Sequence, residues 1–461
     1  MPVAAGSRAL SRPLSAMDRA LLSYEEVNAA TPIAVAQLLW ATGPAPSLET
    51  FQDAVAARSR RFPVLLDRLA YPTGPGRGPV WEPDPGFTVS RHVRECRLAP
   101  GAGEDEVAEL VGSLCAAQLP LDRPPWELWL LHGHSPDSFG VLLRASHVWV
   151  DGTAIYRALG LLFGTGPDAG AIPATQCRDA AVTPWGVLRS LGRLMSWLPL
   201  TAGLTGLAQP VSGRSQVSWA RVELTRLRAI GRAYGATVND VFLVALAGAL
   251  EAWSGPVGPL ALMPVTTRRP DERELLSNFV VGARVRLPAG DETPQRRFAA
   301  VRRHTAPYRG LAGTGANERW CFERIPARFG RRLVAMGNDA RRVAVTTSNL
   351  GCLPGPLAIA GRPVTEALPV PVPMPGQRVF AMLGGIAPTV TVGVATDASV
   401  PDGTALVGRW LAELTGLEHA AGIPRPARPP DRLAPDRLAP GRLAPGRGAP
   451  GDGAPAAAVV A

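Results

Sequence analysis

A short polar motif between a predicted strand and a predicted helix constrains the fold of this chain more than any other feature of its sequence. The run FGVLLRA at Phe139–Ala145 is short and apolar, which is typical of a buried strand. The segment GTAIYRALGLLF at Gly152–Phe163 predicts a helix. Between them stands SHVWVD, which contains His147 and Asp151. Because functional side chains often follow the end of a rigid strand, the sequence predicts a candidate site at this junction.

Strand-like and helix-like segments alternate over the rest of the chain, which predicts an α/β fold. Richness in β-branched residues or alternating polarity predicts further strands at Leu260–Val265, Asn278–Leu287, Val343–Thr347 and Thr389–Thr396. Helices are interleaved among them, most clearly at Val238–Trp253.

The helix at Val238–Trp253 begins with a capping pattern. Thr237 can cap its N-terminus, and Asp240 stands at the N3 position of an arrangement that resembles a capping box. One interpretation is a well-capped core helix. The other is that Asn239 or Asp240 also lines the cleft, and the sequence leaves both interpretations open.

Length and composition predict two domains and a tail. The chain has 461 residues, of which 46% are hydrophobic and 19% charged, so it can bury more than one ordinary core. We expect an N-terminal lobe at 1–163, a linker with an amphipathic helix at 164–217 and a C-terminal lobe at 218–421. The remaining segment, 422–461, is rich in Arg, Pro and Gly and repeats R-L-A-P, so it is predicted to be disordered.

The amphipathic pattern in the linker spans Trp185–Leu200. Its apolar residues follow helical spacing, and they are Trp185, Leu188, Leu191, Met195 and Leu198. Arg189 and Arg193 stand four residues apart on another face. This pattern is typical of a helix at a membrane interface and also of a helix that packs its apolar face against a core.

The net charge and the spacing of the cysteines and histidines indicate which binding partners, metal sites and disulfides to expect. The net charge is +10, and the 48 basic residues include no lysine. A solvated basic surface is compatible with this charge, and so is attraction to the phosphates of CoA or to anionic lipid. The sequence has no basic helix interleaved with aromatic residues, so we expect no nucleic-acid partner. The five cysteines are scattered singly, and the histidines lack metal-ligand spacing, so neither a metal site nor a disulfide framework is predicted.

Membrane insertion and export are not predicted either. No apolar run reaches the roughly 18 residues that a membrane span needs. The N-terminal residues lack the apolar core and cleavage site of a signal peptide. A cytoplasmic location is therefore expected.

His147 is the natural general base at the junction, since the unperturbed pKa of histidine lies near physiological pH. Asp151 could orient the imidazole, directly or through a neighbouring charge such as Arg144. Gly152 would let the backbone turn tightly beside the reacting groups. A satisfied structural histidine is the alternative interpretation of this motif.

Further motifs in order along the chain carry a resemblance to a known family. They are PLSAMDRALL at Pro13, ATPIAV at Ala30, PPWE at Pro124–Glu127, SHVWVDG at Ser146–Gly152, NDVFLV at Asn239, PVTTR at Pro264, SNF at Ser277 and TSNLG at Thr347. In these motifs the chain resembles the bacterial wax ester synthase/diacylglycerol acyltransferase family, within the chloramphenicol-acetyltransferase-like superfamily of CoA-dependent acyltransferases. The resemblance runs from about Pro13 to about Leu417.

The resemblance implies a fold and an activity. Two lobes, each a mixed sheet backed by helices, would enclose a tunnel for the active site. An O-acyltransferase of this kind moves a long-chain acyl group from acyl-CoA to a hydroxyl of diacylglycerol or a fatty alcohol, giving triacylglycerol or wax ester. Acyl-CoA is a co-substrate, and no cofactor is expected. Partners would be acyl-CoA, the lipid acceptor and a peripheral site on a lipid droplet or on the inner face of the cell membrane.

The resemblance also implies roles for single residues. His147 occupies the position of the family's catalytic histidine, and Asp151 that of the motif aspartate, whose role is structural support. Asn278 is a candidate donor to the oxyanion. The other motif or cleft-lining candidates are Ser146, Gly152, Asn239, Asp240 and Trp126.

One departure keeps two other functions open. Ser146 replaces the first histidine of the family's HHxxxDG motif. The first alternative is an acyltransferase of specialised metabolism that uses CoA or carrier-protein thioesters. The second is a non-catalytic lipid-binding relative.

Overall fold

The computed structural model describes residues 11–74, 78–166, 170, 172, 181–195, 197–198, 204, 207, 210–290, 293–308 and 314–424. The predicted disordered tail lies outside these residues from 425 onward, and the predicted linker at 164–217 is described only in part.

A six-stranded mixed sheet forms the core of the N-terminal half. In spatial order its strands are β12 (Ala358–Ile359), β13 (Arg362–Val370), β2 (Ala34–Thr42), β7 (Ser138–Ser146), β6 (Trp126–His132) and β5 (Val93–Arg97). Only β5 and β6 run parallel, and the other neighbours are antiparallel. Three short strands, β1 (Arg12–Pro13), β4 (Val80–Pro83) and β3 (Asp67–Ala70), form a small separate sheet.

A second six-stranded mixed sheet forms the core of the C-terminal half. Its strands are, in spatial order, β10 (Val280–Arg286), β9 (Leu260–Thr266), β11 (Val345–Cys352), β14 (Val379–Ile386), β15 (Thr389–Asp397) and β8 (Ser215–Glu223). The central strand β11 runs parallel to both of its neighbours, β9 and β14.

Helices cover these sheets and connect their strands. They are α1 (Ala16–Val27), α2 (Leu48–Arg61), α3 (Glu104–Cys115), α4 (Gly152–Phe163), α5 (Pro184–Met195), α6 (Leu224–Ala233), α7 (Val238–Ser254), α8 (Pro294–Thr305), α9 (Thr314–Glu323), α10 (Ala327–Asn338) and α11 (Leu406–Ala420). The most deeply buried is α7, which lies in the core of the C-terminal half.

Several predictions about single elements are confirmed. The predicted strand at Phe139–Ala145 lies within β7, and the predicted helix at Gly152–Phe163 coincides with α4. Thr237 caps α7 in a full capping box with Asp240, as the sequence indicates. The α/β architecture with mixed sheets backed by helices is likewise confirmed.

A segment from the C-terminal half of the chain contributes strands to the N-terminal sheet. β12 and β13 follow strands of the C-terminal sheet in sequence, yet β13 pairs antiparallel with β2 of the N-terminal sheet. The indole Nε1–H of Trp219, on β8, donates to the carbonyl of Pro369, on β13, at 2.8 Å. The predicted limits of the two lobes stay a prediction. By residue number β12 and β13 fall within the predicted C-terminal lobe, but they are part of the N-terminal sheet.

Helix α5 confirms the predicted helical segment but does not pack its apolar face inward. Trp185 is 63% exposed and Met195 is 62% exposed, whereas Gly186 and Ser190 are buried. The interpretation of this segment as a core-packed helix is therefore wrong. The buried side of α5 is small and polar because Gly186 lies directly against Asn317 of α9.

Among the described residues, no single helix is long and apolar enough to cross a membrane. The consecutive helices α6 and α7 reach that length and composition only when taken together, and they are bent by 89°.

A buried ion pair joins two strands of the N-terminal sheet and predicts a large stability effect. Arg144 and Glu127, 3% and 4% exposed, lie opposite each other on β7 and β6, with the guanidinium 2.8 Å from the carboxylate. Removing one partner leaves an uncompensated buried charge. We expect Arg144→Met to lower the free energy of unfolding by about 3–5 kcal/mol in urea titrations.

The matched control for this substitution is Arg341→Met, which removes an arginine that is 73% exposed and pairs with Asp339. That change should cost at most about 1 kcal/mol. Equal losses for the two variants would contradict the assignment of Arg144–Glu127 as a stability determinant.

Candidate active site

His147 lies one residue beyond the end of β7, at the wall of a cavity of about 210 Å³. Its backbone N–H donates to the carbonyl of Ile33, which extends the β2–β7 pairing by one step. The turn that follows leads directly into α4, whose N-cap is Asp151. The strand fixes the backbone of His147, and the turn directs its side chain out of the N-terminal sheet.

The imidazole of His147 bonds to a side chain from the other half of the chain. Its Nδ1 lies 2.9 Å from the amide oxygen Oδ1 of Asn278. The amide nitrogen Nδ2 of Asn278 donates to other groups, so Oδ1 is the acceptor and Nδ1 of His147 carries the proton. In the neutral imidazole this leaves a lone pair on Nε2, the form that a general base requires.

Asn278 is in turn held by Asp18, which is fully buried on α1. One carboxylate oxygen of Asp18 accepts from the backbone N–H and from Nδ2 of Asn278, at 2.9 and 2.8 Å. The other accepts from the hydroxyl of Ser277 at 2.6 Å and from the backbone N–H of Ser15. A buried carboxylate with this many donors is well satisfied, so the amide that orients His147 is itself fixed.

Asp151 supports the loop and not the imidazole. Its Oδ1 caps α4 by accepting from Ala154 N–H at 2.7 Å, and its Oδ2 accepts from Phe279 N–H at 2.9 Å. The guanidinium of Arg268 lies 3.2 Å from the same carboxylate, and both side chains are almost completely buried. These contacts favour the structural role that the resemblance implies for Asp151.

The cation beside Asp151 is Arg268 and not Arg144, which the sequence suggested. Arg144 pairs with Glu127 and makes no contact with Asp151, so the proposed link through Arg144 is wrong. Arg268 also donates to the carbonyls of Glu272, Leu275 and Ser277. It thereby fixes the segment that carries Asn278 against the loop that carries His147.

The expected role of Asn278 as an oxyanion donor does not fit its contacts. Nδ2 carries two protons and faces three acceptors, Asp18 Oδ1, His147 O and Val148 O, at 2.8, 2.7 and 3.2 Å. No proton is left for a reacting oxygen. The geometry makes Asn278 a positioning residue for His147.

Ser146 and Gly152 flank the histidine without entering the cavity. Ser146 is buried, and its hydroxyl accepts from the backbone N–H of Val148, which stabilises the turn. Gly152 begins α4 close to β11, where an added Cβ would lie 2.5 Å from a methyl carbon of Leu350. A side chain at position 152 would thus require the Leu350 side chain to shift.

Three further candidates lie away from the lining of this cavity. Trp126 is buried in the N-terminal core, where its Nε1–H donates to Leu65 O. Asp240 is buried in the capping box of α7 and accepts from Thr305. Asn239 is partly exposed and contacts Asn349 and Met263.

The cavity beside His147 is mostly apolar. Its walls come from α1, α5, β9, β10, α9 and α10. Its apolar lining includes Met17, Leu21, Leu194, Trp197, Leu262, Val280, Phe322, Leu333 and Val334. Such a wall suits an alkyl chain, with polar groups at a few fixed positions.

Sequence reasoning did not assign roles to Asp18 and Arg268, although both lie within motifs that carried the family resemblance. Their partners stand 260 and 117 positions away in the chain. No local pattern could have linked them. A buried charge within a motif is the only signal that the sequence offers for such residues.

Comparison with known proteins finds similarity to lipid acyltransferases. Residues 14–183 match the model of the wax ester synthase/diacylglycerol acyltransferase catalytic domain. A protein of Mycobacterium tuberculosis (strain H37Rv), named as a probable diacylglycerol O-acyltransferase, is 27% identical over 439 residues, covering 84% of this chain and 91% of the relative.

Solved structures agree on the fold. The wax ester synthase/diacylglycerol acyltransferase from Marinobacter aquaeolei VT8 superposes with a TM-score of 0.61 at 21% identity, covering 89% of this chain and 100% of that structure. The first condensation domain of the CDA synthetase gives 0.60 at 17% identity, with 91% and 98% covered. At these identities the structures establish the fold.

The chain thus shares the two-sheet fold of these acyltransferase and condensation-domain structures. In sequence, the chain is similar to the wax ester synthase/diacylglycerol acyltransferase family over residues 14–183, as the sequence motifs predicted, and to the mycobacterial relative over most of its length.

The contact between His147 and Asn278 predicts a specific kinetic defect. Asn278→Ala removes the acceptor that holds Nδ1–H, so the imidazole can rotate and change tautomer. We expect kcat for acyl transfer to fall about 100-fold, because misplacement of a reacting group by about 1 Å has an effect of that size. Circular dichroism checks that the fold is retained, and an unchanged kcat in a folded variant would contradict the positioning role.

Proposed function

We propose that this protein transfers a long-chain acyl group from acyl-CoA to the hydroxyl of diacylglycerol or a long-chain alcohol, giving triacylglycerol or wax ester. The observation that carries the proposal is the hydrogen bond between Nδ1 of His147 and Oδ1 of Asn278, which leaves Nε2 as the basic nitrogen of a histidine that lines an apolar cavity. The family match and the acyltransferase relatives support the same reaction.

The proposed mechanism is a direct transfer. The acceptor hydroxyl donates to Nε2 of His147, and as its oxygen bonds to the thioester carbonyl carbon the proton moves to Nε2. The tetrahedral intermediate then breaks its C–S bond, and the imidazolium returns the proton to the departing thiolate. The products are the ester and free CoA, and His147 ends in its starting form.

The surroundings of His147 suit both protonation states. When Nε2 gains a proton, the imidazolium faces the Oδ1 dipole of Asn278, with the buried carboxylate of Asp18 directly behind it. Groups that are already oriented toward a developing charge need no reorganisation during the reaction. Ser146 does not disturb this arrangement, because its hydroxyl is engaged in the turn.

The alternatives from the sequence fit less well. The condensation domains share the fold, yet the family model and the named relatives are those of lipid acyltransferases. A purely lipid-binding relative would have no need for a histidine whose tautomer is fixed by a buried amide and carboxylate.

The central test is thiol release from palmitoyl-CoA by the purified protein, with a fatty alcohol or diacylglycerol offered in parallel. We expect release that depends on the acceptor. His147→Ala should lower it about 10²- to 10⁴-fold, the usual contribution of a general base.

The control is His419→Ala, which removes an exposed histidine from the last turn of α11. This variant should keep the wild-type rate. Release by His147→Ala at the wild-type rate would refute the assigned base, and no release by any form with any acceptor would refute the proposed reaction.

We infer further that the protein binds the surface of an anionic membrane or lipid droplet through α5. The apolar face of this helix and its continuation consists of exposed side chains, namely Trp185, Leu188, Leu191, Met195 and Leu198. Arg193 and Leu194 of the same helix line the cavity beside His147. An apolar surface that borders a lipid-binding cavity allows substrates to pass between bilayer and site without crossing water.

The charges around α5 favour an anionic surface. The helix itself carries no acidic residue, and of its two arginines Arg193 pairs with Glu318 in the cavity wall, so Arg189 is the one available to the surface. Arg189 lies over the ring of Trp185, with its guanidinium carbon 5.9 Å from the ring centroid. Helix α10, which also lines the cavity, carries several arginines and no acidic residue. Each arginine near an anionic leaflet adds about 1 kcal/mol of attraction.

A flotation assay with vesicles of phosphatidylcholine and phosphatidylglycerol tests this surface. Trp185→Ser combined with Leu188→Ser should weaken binding at least about tenfold, because each exposed apolar side chain contributes on the order of 1.5 kcal/mol when it enters the bilayer. The matched control is Tyr71→Ser with Val27→Ser, whose side chains are 64% and 58% exposed against 63% and 56% for the test pair. Equal binding by the two double variants would exclude α5 as the docking surface.

A further inference from the structure

A buried carboxylate lines the cavity that His147 serves, and the mechanism above does not use it. Glu318 on α9 belongs to the cavity wall, and its side chain is only 7% exposed. Its Oε1 accepts from the guanidinium of Arg193 at 2.5 Å and contacts the Tyr308 hydroxyl at 3.5 Å. Its Oε2 is buried with no hydrogen-bond partner among the described residues.

Such an oxygen is costly unless a ligand satisfies it. Burying a polar atom without a partner disfavours the folded state, and a charged oxygen costs more than a neutral one. Burial raises the pKa of Glu318, while the ion pair with Arg193 acts to lower it. The surrounding wall is mostly apolar and suits alkyl chains, so this carboxylate is one of the few polar groups that line the cavity.

Glu318 belongs to a part of the cavity wall that does not border Asn278, the partner of His147. A smaller pocket beside Asn278 is lined from α9 by Arg319, Phe322 and Glu323, and Glu318 is not among its lining residues. Glu318 instead lines the main cavity, as His147 does.

The free oxygen accepts hydrogen bonds and so calls for a donor on the ligand. A plain alkyl chain offers none, and the hydroxyl that reacts is used at His147. A second hydroxyl on the acceptor has the required chemistry, since one O–H can donate to Oε2 while the chain between the two hydroxyls lies along the apolar wall.

We propose that Glu318 is a specificity-determining residue that binds a second hydroxyl of the acceptor, remote from the one that is acylated. The preferred acceptors are then long-chain diols or partial glycerides with two free hydroxyls. This inference rests on the proposed acyl transfer, because it concerns the acceptor of that reaction. The Tyr308 hydroxyl, which also lines the cavity, lies beside the same carboxylate.

The test compares acceptors that differ by one hydroxyl. Thiol release from palmitoyl-CoA is measured with α,ω-diols of increasing length and with the n-alcohols of the same lengths. At the length that spans from His147 to Glu318, the wild-type protein should show a KM for the diol about tenfold below that for the alcohol, the usual gain from a hydrogen bond to a charged group. Shorter diols should show no such advantage.

Two variants assign the preference to the carboxylate. Glu318→Met keeps a similar volume without an acceptor, so the KM for the spanning diol should rise to that for the alcohol and the diol advantage should disappear. Glu318→Gln keeps a polar partner for Arg193 and should show a smaller rise, which covers the case in which the Met variant does not fold. Glu323→Met, on the next turn of α9 and exposed, should leave the preference intact.

The outcomes separate this inference from the proposed function. Release with n-alcohols but no advantage for any diol would overturn the role of Glu318 and leave the acyltransferase in place. An equal loss with diols and alcohols in Glu318→Met would show that the residue serves only as the structural partner of Arg193. Failure of release with every acceptor would refute the acyl transfer itself.

Discussion

The hydrogen bond from His147 to Asn278 joins the two halves of the chain, and the arrangement of the site depends on it. The histidine follows the last residue of β7 in the N-terminal sheet, and the asparagine stands two residues before β10 of the C-terminal sheet. Asp18, from the first helix, closes the network by binding the amide. Three distant segments therefore have to pack correctly before the imidazole adopts one tautomer and one orientation.

A second buried interaction, the ion pair between Asp151 and Arg268, holds in place the backbone segment that carries Asn278. Arg268 binds the carbonyls of the segment that leads to Asn278, while Asp151 binds the backbone after it. A buried ion pair gains little free energy by itself, because desolvation offsets the attraction. Its contribution here is to hold the two loops together, since separating them would remove the partner of each buried charge.

Local features of the site were accessible from sequence because short-range physics determines them. The strand, turn and helix around His147 follow from apolar periodicity, and the capping box at Thr237 from residue types three positions apart. The partners of His147 and Asp151 were not accessible, because no pattern relates residues more than a hundred positions apart. Arg144 was the nearest charge in sequence, yet the cross-strand register pairs it with Glu127. In α5, periodicity predicted the helix but not that its apolar face points to solvent, since both arrangements have the same spacing.

The crossing of β13 into the N-terminal sheet limits how the cleft can move. The chain leaves β13 and enters β14 of the other sheet after eight residues, and the Trp219–Pro369 hydrogen bond ties the sheets at the same place. This segment acts as a strap on the side of the cavity formed by α1 and α10, because the hydroxyl of Tyr24 donates to Pro375 O and the side-chain amide of Gln377 donates to Asn338. Widening of the space around His147 is therefore restrained on that side. The strap also makes the halves interdependent as folding units, because without β13 the strand β2 becomes an unprotected sheet edge, prone to pair with other chains.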